Sequence, residues 1–183
     1  MPEVGSKLIF KAFKEVPLDK VKVVILGMDI YHDDSFNGLA FGNGEKDNTK
    51  VKSPSLRNIL KEVKVSKAGD GVDASLYSWS NQGVLLTNTA HTVVKGQAGS
   101  HLDLWADFTR LLLSSINSVD NVIWMLWGNQ AKSYKSLIEN ETHEVIISGH
   151  PSPLNSSNPF VGCNCFNKCN EILETKNINK LKW

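Results

Sequence analysis

Residues 23–32 read VVILGMDIYH. The run Val23–Leu26 is apolar and rich in β-branched residues, and Gly27 closes it. Such a run without polar alternation fits a strand covered on both faces. A carboxylate (Asp29), a phenol (Tyr31) and an imidazole (His32) follow within a few residues. In an open parallel sheet, ligands bind beyond the carboxyl ends of the strands. The placement of three reactive groups where a buried strand runs out therefore asks whether other strands end in the same way.

Working outward, four segments are predicted as buried strands: Val21–Gly27, Gly83–Asn88, Asn121–Gly128 and Glu144–Gly149. Helical patterns lie between them. Ser53 caps a helix with Pro54 at its first position, and Leu56, Ile59, Leu60 and Val63 share a face. Ser100, with Asp103 in capping-box position, precedes a stripe of Leu104, Phe108, Leu111 and Leu112. Asn129 is predicted to cap a helix carrying Tyr134, Leu137 and Ile138. A last helix is expected from about Phe160 to Glu174, and a short one over 5–14 with Leu8, Ile9, Phe10 and Phe13 free to dock. Residues 33–50 read as loop around Leu39-Ala40-Phe41. Strands alternating with helices give an α/β class: a single domain over residues 1–183 with a central four-stranded, mostly parallel sheet flanked by helices. All four strands then end on one rim, at Gly27–His32, at Asn88, at Trp127-Gly128-Asn129 and at Gly149–Leu154.

Composition sets the outer bounds. The 183 residues are 41% hydrophobic and 21% charged, which suits a globular protein; the net charge of +1 neither announces a nucleic-acid binder by bulk electrostatics nor excludes one. No apolar run approaches a membrane span, and an intracellular protein that contacts no membrane is expected. The basic stretch Lys50–Arg57 reads either as a local nucleic-acid patch or as a solvated helix entrance. Three cysteines, Cys163, Cys165 and Cys169, do not suit a disulfide framework or metal-ligand spacing. Cys163, Phe166, Cys169 and Leu173 form a helical stripe expected in the core. Asp29, His32, His101 and His150 lack a local ligand spacing. G-x-S-x-G, the P-loop motif and a strand-linked G-x-G-x-x-G are all absent.

The rim offers a carboxylate, two imidazoles, an amide and aromatic rings, a set that suits a planar ring with amide edges. At this point the residues resemble a family. GMDIYH is similar to the water-activating motif of the family 1 uracil-DNA glycosylases, usually GQDPYH. SPSLRNILKEV resembles their proline–serine DNA loop and the helix after it. GVLLTN followed by GQAGSH resembles their uracil-reading strand and next helix entrance. WGNQA resembles their glycine–serine loop, and HPSPL matches their intercalation motif without change. The five blocks occur in family order.

The resemblance implies that uracil is flipped out of DNA and its N-glycosidic bond hydrolysed, leaving an abasic site for base excision repair. It assigns Asp29 to the developing sugar cation and the attacking water, His32 to holding that water, and His150 to a hydrogen bond on uracil O2. Asn88 reads the uracil edge, Phe41 stacks on the base, Tyr31 excludes the thymine methyl, and Met28 contributes a backbone contact. Leu154 wedges into the vacated stack. Pro54, Ser55, Gly128, Asn129, Pro151 and Ser152 contact the DNA backbone. The implied chemistry takes no metal or organic cofactor. The implied partners are single- or double-stranded uracil-containing DNA and a proteinaceous glycosylase inhibitor, with the enzyme a monomer. Relative to typical members, the sequence is expected to lack an N-terminal helical segment. Met28 stands for the family's Gln, Ile30 for its Pro and Asn129 for its Ser. These departures leave open a non-catalytic DNA-binding or scaffold protein on the same fold, or a glycosylase retuned to a modified uracil.

Overall fold

The computed structural model describes residues 6–32, 35–44, 50–155 and 160–183. Its sheet has four strands: β1 (Val23–Asp29), β2 (Val84–Ala90), β3 (Ile123–Trp127) and β4 (Glu144–Ser148). Their order is β2-β1-β3-β4, and every pairing is parallel. The helices are α1 (Ser6–Ile9), α2 (Lys11–Glu15), α3 (Pro54–Val65), α4 (Tyr77–Ser80), α5 (Leu102–Ile116), α6 (Gly128–Lys132) and α7 (Cys165–Thr175). No helix among the described residues is long and apolar enough to cross a membrane.

The strands β1 and β2 run two residues further than their apolar stretches suggest, because the parallel ladder continues. Gly27 pairs with Asn88, and Asp29 pairs with Ala90. Asp29 and Asn88 are thus register-locked strand residues rather than loop residues. The expectation of strands covered on both faces holds for β1, β2 and β3 but not for β4. That strand lies at the sheet edge and leaves Ile147 44% exposed.

Ser53 caps α3, its Oγ accepting at 3.5 Å from the Leu56 amide. The other two predicted caps are corrected. Ser100 Oγ accepts from the Val94 amide at 2.8 Å, so it ties a loop, and α5 starts only at Leu102. Asn129 sits inside the five-residue α6, and Leu137 falls in a separate 3₁₀ turn, Lys135–Leu137. The last helix starts at Cys165, because Gly162 and Asn164 carry positive φ. Its buried face is Cys165, Phe166, Cys169 and Leu173. Cys163 precedes the helix and is half-buried, so it leaves the predicted stripe.

The stretch 5–14 forms two short helices rather than one, broken at Phe10, and residue 5 lies outside the described residues. Phe10 and Phe13 dock against His91 and Phe108. His91 Nδ1 donates to the Ile9 carbonyl at 3.1 Å, and burial pushes its pKa down to about 4. The loop reading at 33–34 and 45–49 also falls outside the described residues.

Glu62, unremarked in the sequence, is fully buried. Its carboxylate accepts from the amides of Gly162 and Asn164, the latter at 2.8 Å. A buried carboxyl group is tolerable only when hydrogen-bonded in this way, and here it pins the start of α7 to α3.

Candidate active site

A slot of about 140 Å³ opens at the carboxyl ends of β1 and β2. Met28, Asp29, Tyr31, Phe41, Ser55, Asn88 and His150 line it, joined by Ile30, Phe36 and Leu39. Residues 122 positions apart in sequence therefore face one cavity.

Asp29 is aimed by its strand and by a distant loop. Its Oδ2 accepts from the Gly99 amide at 2.6 Å. The carboxylate has no other hydrogen bond among the described residues. The loop that carries Gly99 is itself stapled: Thr92 Oγ1 lies 2.8 Å from His101 Nδ1, and Ser100 holds Val94.

Asn88 is 4% exposed, and its amide has no hydrogen-bond partner among the described residues. The residue is enclosed but its amide is not sealed off, so it stays open to a ligand edge entering the slot. Gly27 makes the arrangement possible. A Cβ at Gly27 would stand 2.2 Å from Asn88 Oδ1, so only glycine lets the amide lie across β1.

Phe41 adopts φ +66°, a left-handed conformation that is costly for a residue with a bulky side chain. Its surroundings hold it there. Ala40 donates to the Leu86 carbonyl at 3.0 Å, the Tyr31 hydroxyl donates to the Phe41 carbonyl at 3.0 Å, and the Phe41 ring sits 5.4 Å from Trp127. Asn37 braces the same loop, donating to the Ser75 carbonyl and accepting from the Leu39 amide.

His150 Nδ1 accepts from the Ser152 amide at 3.0 Å. A ring nitrogen that accepts carries no proton, so in the neutral ring the hydrogen resides on Nε2. Burial lowers the imidazole pKa and so favours that neutral ring. Gly128, at φ +83°, packs against it; a Cβ there would meet His150 Cβ at 2.7 Å. Asn58 of α3 donates to the Pro151 carbonyl at 2.8 Å, tying the HPSPL loop to the helix after Ser55.

The remaining predicted residues lie around the slot rather than in it. Pro54 and Asn129 are exposed, Ser152 is half-buried and Pro151 is buried. Leu154 is 92% exposed. His32 is exposed and does not line the slot. Gly99, Asn58, Phe36 and Leu39 also shape the site, although no sequence motif assigns them to it. Ile30, Phe36 and Val93 form a small apolar cluster with Tyr31 and Leu8 packed on it. Ile30, standing for the family's proline, is thereby fixed by packing rather than by a ring-locked φ.

Comparison with known proteins agrees with this fold. The profile of the Uracil DNA glycosylase superfamily matches residues 13–174. A uracil-DNA glycosylase of Francisella tularensis subsp. novicida is 42% identical over 96% of this chain and 80% of its own length. One from Streptococcus agalactiae is 41% identical over the same shares. The crystal structure of mimivirus uracil-DNA glycosylase superposes with a TM-score of 0.88 at 28% identity, covering 97% of this chain and 72% of that one. Matched by the family's profile over residues 13–174 and by relatives of 41% and 42% identity over nearly its whole length, the chain belongs to the uracil-DNA glycosylase superfamily.

Proposed function

We propose that the protein flips uracil out of DNA into the slot and hydrolyses its N-glycosidic bond, leaving an abasic site. The observation that carries this reading is the convergence of three groups on one small cavity: an anchored carboxylate, an amide facing the slot with no partner among the described residues, and a half-buried imidazole whose acceptor nitrogen is occupied.

Each group suits one part of the reaction. As the bond to the base stretches, the sugar gains positive charge and the base negative charge. Asp29, fixed at one oxygen by Gly99, stabilises the sugar cation and orients the water that attacks it. His150 offers its Nε2 hydrogen to uracil O2, where the leaving anion develops. Asn88 accepts from uracil N3–H and donates to O4; cytosine presents the reverse pattern, which leaves a buried polar site mismatched. Tyr31 stands where a C5 methyl would collide, and Phe41 stacks on the base. Ser55, Ser152, Pro54, Pro151, Gly128 and Asn129 face the DNA backbone, Leu154 enters the gap left by the flipped nucleotide, Met28 contributes a backbone contact, and His32 approaches the water from the solvent side. The chain acts as one domain. Variants of the mimivirus enzyme were solved in complex with UGI, and we extend to this chain sensitivity to a proteinaceous inhibitor.

The test is a single-turnover assay on uracil-containing oligonucleotides with enzyme in excess. Abasic product is expected from uracil and not from cytosine or thymine. Asp29→Asn should lower the cleavage rate by about a hundredfold or more while DNA affinity is kept. Product formation by neither strand form, or equal loss of cleavage and binding in Asp29→Asn, overturns the assignment.

A further inference from the structure

The basic stretch Lys50–Arg57 runs into a cationic face that the slot does not use. Arg57, Lys61 and Lys64 recur at helical spacing on the exposed side of α3. They border a groove of about 360 Å³ whose floor is Val51, Leu60 and Val72. None of the three cations enters an ion pair among the described residues. The acid of the same helix, Glu62, is buried on the other side and spent on Gly162 and Asn164. With a net charge of only +1 over the chain, this face is a local concentration of positive charge outside any ion pair among the described residues, with Asp70 beside it holding the Val72 amide.

The groove lies along the helix whose first turn reaches the slot. Ser55, in the first turn of α3, lines the slot. The far end of the helix lies toward the amino ends of the strands: Gly69 abuts the Trp183 carbonyl, Lys182 hydrogen-bonds Gln82, and Gly83 accepts from Lys22 just before β1. From Ser55 to Lys64 the helix drops about 14 Å below the rim.

Resting on the proposed function, we propose that this face of α3 holds the flanking single-stranded DNA of a uracil-bearing strand. Two features favour a single strand. Duplex DNA is stiff over far more than this distance and leaves the rim nearly straight, whereas a single strand can turn down the helix. The groove also combines cations for phosphates with an apolar floor for bases, and only unpaired bases can use that floor.

The test compares the wild type with the triple variant Arg57→Gln, Lys61→Gln, Lys64→Gln on three substrates: a single strand of about 6 nucleotides, one of about 24, and the matching duplex, each with a central uracil. The variant should lose roughly tenfold in kcat/KM on the long single strand through KM, with kcat unchanged. The short strand and the duplex should be processed as by the wild type. Binding of a long uracil-free single strand, followed by anisotropy between about 50 and about 200 mM salt, should lose about 2 units of log–log salt slope, from three phosphates at ~0.7 each. An unchanged long-strand slope, an equal loss on the short strand, or an equal loss on the duplex overturns the proposal. Absence of excision by the wild type itself would instead strike the proposed function, and the anisotropy measurement would still decide the groove.

Discussion

The two edge strands of the sheet contribute to the rim in opposite ways. On β2 all seven residues are buried, and its contribution, Asn88, is 4% exposed. On β4 the strand is half open, with Ile147 44% exposed, and the loop that leaves it carries Leu154 at 92%. The difference follows from what each edge must do. Reading a base edge by hydrogen bonds requires a dry amide, because water would satisfy it equally well whichever base arrived. Entering a base stack requires a side chain that stands clear of its own protein. In the proposed function, one edge discriminates because it is enclosed, and the other engages DNA because it is not.

The sharpest way to break the enclosed edge is Gly27→Ala. The new Cβ would stand 2.2 Å from Asn88 Oδ1 and 3.2 Å from Ala40 Cβ, so the amide must move. A displacement of this kind near the reacting groups costs about a hundredfold in rate. Uracil excision should fall by that order, while affinity for abasic product DNA stays. The double variant with Asn88→Ala should be no slower than Asn88→Ala alone, since both act through one amide. Additive losses would show that Gly27 serves something other than the placement of Asn88.

The open edge is tested by Leu154→Ala. Excision from duplex should drop about tenfold, because nothing then fills the vacated stack, and excision from a single strand should change little. Thermal stability should stay within about 0.5 kcal/mol of the wild type, as the side chain buries almost nothing in the protein. Equal losses on both substrates would remove Leu154 from the wedge role.

Much of this asymmetry was legible in the sequence. The apolar runs placed all four strands and hence the rim, since hydrophobic patterning reports burial directly. The motif blocks brought Asp29, Asn88 and His150 into one slot, as observed. Contacts made by backbone amides were not legible. Gly99 on Asp29, and Gly162 with Asn164 on Glu62, use groups that every residue carries, so no side-chain pattern announces them. The capping signals misled for a related reason. Ser100 and Asn129 are good caps locally, but a loop amide claimed the first and β3 leads directly into the short α6 that contains the second. Cys163 leaves the stripe because the spacing from it to Phe166 crosses Asn164, whose positive φ keeps the chain out of a helix there.

The smallest effect separates the two edges by pH. His150 lies on the open side, yet its ring is half-buried and accepts the Ser152 amide on Nδ1. Burial lowers its pKa below the ordinary 6.5, and protonating Nδ1 would also set two N–H groups against each other. The sign follows. Above pH 6.5 the ring is neutral in folded and unfolded chains alike, and it imposes no cost. As pH falls below 6.5 the unfolded chain takes up the proton first, so this contribution to stability declines until the folded ring titrates. The ring's NMR titration should therefore show a midpoint below 6.5. Ser152→Ala keeps the amide hydrogen and should leave that midpoint in place. Ser152→Pro removes the hydrogen and should move the midpoint upward. If alanine and proline shift it equally, the serine hydroxyl rather than the backbone sets the tautomer. His150 would then be tuned by a side chain on the exposed edge, and the division between an enclosed reading edge and an open docking edge would not extend to the leaving-group contact.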